Sequence, residues 1–133
     1  MTDVFVDTTV LLHAVGRPDP VRAACQAVVR SAAGLHISTE TIQEFLFHRL
    51  RAGPRDLAVF QTRQIMGRCV VHPLDEVTAA LAVDLASGSE ARGRDVFIAA
   101  AAIRAGFSTV VTTDRGFVPV GDLSVAHPFD LEL

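Results

Sequence analysis

The chain has no lysine, no tryptophan and no tyrosine, and only two cysteines in 133 residues. Without lysine, Schiff-base chemistry, the nucleotide-binding P-loop, the receiver domain and haloacid-dehalogenase-type phosphotransfer are all excluded. The last of these also wants a second Asp two residues after the first, where this chain has Thr9. There is no Gly-x-Gly-x-x-Gly for a dinucleotide and no Gly-x-Ser-x-Gly hydrolase elbow. Cys25 and Cys69 stand far apart with no Cys-x-x-Cys, so neither a disulfide framework nor a zinc site is indicated. Both are expected as inert thiols inside apolar elements, in a reducing cytoplasm. The histidines at 13, 36, 48, 72 and 127 show no metal-ligand spacing and read as structural or exposed, with His13 and His48 nearest the acids considered below. No apolar run approaches the roughly 20 residues that span a bilayer. The start, Met1 to Asp7, lacks a basic stretch and meets an acid almost at once, so no signal peptide is expected.

All twelve basic residues are arginines, whose planar fork suits bidentate contact with phosphate. The net charge of −3 argues against a broad basic face that grips long duplexes. A cluster of cation-binding carboxylates would count as negative in that sum until the cations arrive. Apolar residues make up half the chain, so Ala, Val, Leu, Ile and eight Phe supply the core.

Short apolar runs alternate with helical stretches. Strands are expected at 4–6, 36–38, 69–71 and 109–112, with a short edge strand at 124–126. A short apolar turn or helix is expected at 9–14. Longer helices are expected at about 20–33, ended by Gly34, and at 39–51, 55–66, 74–87 and 94–105. In the 39–51 helix, Ile42, Phe45, Leu46 and Leu50 form the buried stripe. The 94–105 helix is apolar nearly all round and should be buried. This alternation implies one α/β unit over 1–133, with a mainly parallel sheet between helix layers. In such sheets, function gathers beyond the carboxyl ends of the strands.

Four acids fall where that rule points. Asp7 follows the first strand and Asp114 the fourth; each alone could be a turn former. Asp95 heads the buried helix, where the macrodipole favours an acid as a simple cap. Glu44 lies among Ile42, Phe45, Leu46 and Phe47, a setting unusual for a solvated glutamate. Carboxylates packed together repel one another unless cations neutralise them. Hard divalent ions prefer oxygen ligands and can activate water against a phosphodiester.

Asp7-Thr8-Thr9 after the first strand, Glu44 on a helix, Asp95 on an Ala-rich helix, and Thr112-x-Asp114-x-x-Phe117 together resemble the PIN-domain family over essentially the whole chain. The layout is similar to VapC-type ribonuclease toxins of bacterial toxin–antitoxin pairs. That resemblance implies a three-layer sandwich with a sheet of four or five mainly parallel strands. It implies an acidic pocket for Mg2+, with Mn2+ as a substitute, and cleavage of unpaired RNA in tRNA or rRNA. It further implies a VapB-like antitoxin and a homodimer. Carried over by position, Asp7, Glu44, Asp95 and Asp114 are the metal-binding and catalytic acids, with Thr9 and Thr112 supporting. Asp7 and Asp95 would hold the principal ion, Asp114 would complete or bridge it, and Glu44 would orient or deprotonate the attacking water. Arg92, Arg94 and Arg115 would hold the RNA backbone. Many members carry a further acid where this chain has Gly116, which bears on a second ion. The alternative is a PIN-like module that binds RNA or protein without cutting.

Overall fold

Val4–Val6, Leu35–Ser38, Val70–His72, Thr109–Val111 and Ser124–Ala126 are short runs dominated by β-branched and apolar residues, and they form strands β1 to β5. They make one sheet in the order β3-β2-β1-β4-β5. Every neighbouring pair is parallel. The computed structural model describes residues 2–132; Met1 and Leu133, the ends of the unit expected from sequence, lie outside the described residues.

Helices α1 (Thr8–Ala14), α2 (Pro20–Ser31), α3 (Thr39–Ala52), α4 (Arg55–Arg68), α5 (Glu76–Ser87) and α6 (Gly93–Arg104) connect the strands, and a short 3-10 turn at Pro128–Asp130 follows β5. Side chains alternate across the sheet, so Phe5 and Val110 join one core cluster while Val6 and Val111 join the other. The first cluster packs Ala82 of α5 and Val96, Ile98 and Ala99 to Ala102 of α6. The second packs Val10 and Leu11 of α1, Cys25 and Val28 of α2, and Phe45 of α3. This is the three-layer arrangement expected from sequence. Among the described residues no helix is long and apolar enough to cross a membrane.

Several boundaries move, each for a local reason. Helix α5 begins at Glu76, not Leu74, because the Asp75 carboxylate accepts the Thr78 N–H at 2.8 Å and so caps the helix. Helix α2 ends at Ser31, where Ala32 turns to extended backbone. Gly34 is therefore not a helix stop. Its role is close approach: a β-carbon there would lie 2.6 Å from the Asp3 carboxylate. Helix α4 runs on to Arg68, whose guanidinium donates to the Val29 and Ala32 carbonyls at 2.8 and 3.2 Å. Cys69 thereby closes α4 instead of opening a strand and is half-buried, whereas Cys25 is fully buried. Burial pushes both thiols up to about 11, which keeps them unreactive. His36 and His72 pair through Nδ1 and Nε2 at 2.8 Å against Phe5 and Phe107, a packing role.

In α3, Phe45 is fully buried, Ile42, Leu46 and Leu50 are half-buried, and Phe47 points outward at 54% exposure. Phe45 is therefore the anchor that fixes how α3 presents its acidic face. Phe45→Ala is expected to cost about 3–5 kcal/mol of stability in urea unfolding; a loss near zero would show that α3 is held by something else.

Candidate active site

Because all five strands are parallel, β1 and β4 deliver their following residues to the same edge. Asp7 leaves β1 with its N–H bonded to the Val111 carbonyl at 2.8 Å and caps α1 through the Thr8 N–H at 2.8 Å. Its side chain is buried, and its second oxygen accepts the hydroxyls of Thr112 at 2.8 Å and Thr9 at 3.0 Å. Those two hydroxyls lie 3.2 Å apart and also accept backbone N–H groups: Thr9 that of Thr113 at 3.1 Å, Thr112 that of Asp114 at 3.0 Å. Asp7 is thus clamped from the head of α1 and from just beyond β4 by hydroxyls that each also accept a backbone N–H.

Asp114 lies exposed just beyond β4 and turns one oxygen back onto the Gly116 N–H at 2.8 Å. A β-carbon at position 116 would sit 3.2 Å from that oxygen, so glycine suits this tight turn. Asp95 stands in the first turn of α6 and is half-buried. Burial first, then Asp7 and Asp114, raise its carboxyl to about 6, against the pull of Arg94. Glu44 projects from α3 with only 15% of its side chain exposed. Burial first, then Asp7, raises its carboxyl, while Arg94 opposes the rise with Nη1 at 2.7 Å from Oε2. The other oxygen of Glu44, Oε1, is buried with no hydrogen-bond partner. Thr8 stands near it, but its hydroxyl donates to Thr41 at 3.2 Å.

Sequence reading passes over one member of the group. Glu40 lies one turn before Glu44 on the same face of α3, and its Oε2 is also buried without a partner. Burial first, then Glu44, and more weakly Asp7 and Asp95, raise its carboxyl to about 7. The four-residue spacing to Glu44 is the signal that finds it. Thr8, Ser38 and Thr41, a buried hydroxyl chain beneath α3, carry no such signal in the sequence.

Arg92 precedes α6 and lines, with Glu90, Asp95, Gly116 and Val118, a cleft of about 650 Å³. Arg115 is exposed on the loop after β4, close enough to His127 to hold that imidazole below its usual range, behind the effect of burial. His13 acts on His127 in the same sense, and His48 is exposed beside Phe47. Neither of these two histidines enters the group of acids.

Among the described residues no three His, Cys, Asp or Glu side chains form a ready shell for a metal ion. The side chains that do converge are carboxylates, hard oxygen donors of the kind a magnesium-type ion takes one or two at a time, completing its octahedron with water. The two buried, unpartnered carboxylate oxygens of Glu40 and Glu44 are hard donors of the same kind.

The PIN domain model matches residues 4–123. The chain is 33% identical over 129 residues to Ribonuclease VapC7 of Mycobacterium tuberculosis, covering 90% of this chain and 88% of that protein. FitAcB of Neisseria gonorrhoeae superposes with a TM-score of 0.74 at 25% identity, over 98% of this chain and 100% of that one. A toxin-antitoxin complex from Klebsiella pneumoniae shares the fold, with a TM-score of 0.73 at 20% identity, over 96% and 99% of the two chains. The chain belongs to the PIN-domain family, among its VapC-type members.

The raised carboxyl of Asp95 has a thermodynamic consequence. The folded protein holds that proton to about 6, whereas an unfolded aspartate releases it near 3.8. Metal-free stability from this residue is therefore present below the unfolded value and lost as pH rises through about 6. Asp95→Asn is expected to stabilise the metal-free protein by about 1 kcal/mol near neutral pH, after allowance for solvent screening. The gain should shrink toward zero below the ordinary aspartate range in urea titrations with EDTA. A destabilised variant at neutral pH would contradict the clustering.

Proposed function

We propose that this chain is a metal-dependent endoribonuclease that hydrolyses RNA phosphodiester bonds as the toxin of a toxin–antitoxin pair, with residues 1–133 acting as one PIN unit. The observation that carries the reading is the joint elevation of Asp95, Glu44 and Glu40 around the buried Asp7, in a chain related to a ribonuclease. Carboxylates raised by burial and by neighbouring carboxylates suit a site that receives positive charge.

Asp7 and Asp95 would hold Mg2+ or Mn2+, with Asp114 completing the set. When bound, such an ion supplies Lewis-acid charge and lowers the pKa of water. Thr9 and Thr112 fix the Asp7 carboxylate in one rotamer, so that it meets its ligand without reorganising. Glu44, its carboxyl raised by burial, suits a general base that takes the proton of the attacking water on Oε1. Arg92, Arg94 and Arg115 would orient the phosphodiester. Unpaired tRNA or rRNA bases are the substrate class a small cleft of this kind can admit. A silent binding module is not favoured, because all four acids are retained.

Purified protein is expected to cut total cellular RNA into discrete fragments with Mg2+ or Mn2+ and not with EDTA. Glu44→Gln should slow this by about 100-fold or more, the span a general base contributes. Folded, antitoxin-free protein that leaves RNA intact in both metals would overturn the reading.

Partners follow the same proposal. An apolar groove lined by Leu11, Val15, Val29, Leu35, Ile65 and Cys69, between α1–α2 and α4, suits a VapB-like antitoxin. Val77 and Val83, exposed at 60% and 65% on α5, suit a homodimer contact. The cytoplasm, where both thiols stay reduced, is the compartment that agrees with these roles. Light scattering is expected to give a dimer for the isolated chain and a larger assembly with its antitoxin. A monomer unchanged by the antitoxin would contradict both.

A further inference from the structure

Arg94 is poorly placed for the helix that carries it. It sits in the first turn of α6, where the unsatisfied N–H groups already make a positive pole and a cation is disfavoured. Arg92, just before it, provides no side-chain cap. What holds Arg94 is a carboxylate 50 residues away: its Nη1 donates to Glu44 Oε2 at 2.7 Å. The two partners are unequal. The Arg94 side chain is 61% exposed, that of Glu44 only 15%. One end of the pair is therefore free to swing into solvent while the other stays in the site.

The acids around this contact outnumber the cations. Glu44 Oε1 and Glu40 Oε2 are both buried without a partner. Among the described residues, Arg94 is the one positive charge that acts on Glu40, Glu44 and Asp95 alike. A single monovalent guanidinium thus acts on three carboxylates and bonds to only one of their oxygens.

We propose that Arg94 is the internal counterion of the site, holding Glu44 in the metal-free protein and giving way to a divalent cation. The exchange leaves its guanidinium at the mouth of the site, where it can meet a phosphodiester. The inference rests on reading the acids as a cation site. It adds that Glu44 is a further ligand of the cation, and that its Oε2 cannot hold Arg94 and the cation at once. Competition of this kind makes a definite demand: removing Arg94 must tighten cation binding, and must do so through Glu44. Simple repulsion between Arg94 and a nearby cation would also tighten binding, but without regard to Glu44.

A double-mutant cycle separates the two. Mn2+ affinity is measured by calorimetry or by electron paramagnetic resonance for the native chain, Arg94→Gln, Glu44→Gln and the double variant. Arg94→Gln is expected to tighten Mn2+ about tenfold with Glu44 present, and within about twofold with Gln at position 44. Equal tightening in both backgrounds, or none in the first, overturns the counterion role while leaving the cation site standing. Absence of Mn2+ binding in all four proteins overturns the cation site, and the inference with it.

Discussion

Like charges forced together are the constraint on which the rest of this structure turns. A fully parallel sheet sends the ends of β1 and β4 to one edge, and the head of α6 and one face of α3 come near enough for Asp7 to act on Asp95, Glu44 and Glu40. Burial first, and then the neighbouring carboxylates, raise the proton affinity of Glu40 and Asp95. In water, such side chains would part. Here the sheet register, the Phe45 anchor and the alanine run of α6 prevent it, so the core sustains an electrostatic cost at the edge.

Two devices moderate the cost. Asp7, the most buried acid, is satisfied by hydroxyls and a backbone N–H, so its charge is held by dipoles already oriented. Glu44 instead has an exposed guanidinium on one oxygen and, among the described residues, no partner on the other. The carboxylate of Asp7 is thus held by groups of the buried sheet edge, and that of Glu44 by a side chain that reaches out to solvent.

Much of this was legible from residue order. Val4-Phe5-Val6 followed by Asp7, and Val110-Val111 followed by Asp114, read as buried parallel strands with acids at their ends, because strand composition and chain alternation are local signals. The order of elements and the fold class follow from the same signals. Helix ends were less legible: Asp75 and Thr78 decide where α5 begins by a capping bond that competes with an apolar pattern starting at Leu74. Pairings across the chain were not legible. Nothing near Arg94 names Glu44 as its partner, and the clamp of Thr9 and Thr112 on Asp7 depends on two strands meeting. Glu40 was hidden by its ordinary appearance, since a glutamate in a first helical turn is also what the helix dipole favours.

The central claim is that Asp7, Asp95 and their neighbours form one cation site. A crystal of the metal-free protein soaked in Mn2+, with anomalous diffraction recorded at the manganese edge, tests it most directly. The account requires an anomalous peak at the carboxyl edge of the sheet, within bonding distance of Asp7 and Asp95, and its loss in Asp7→Asn crystals. Manganese bound elsewhere, or a peak there that survives the Asp7→Asn change undiminished, would contradict it.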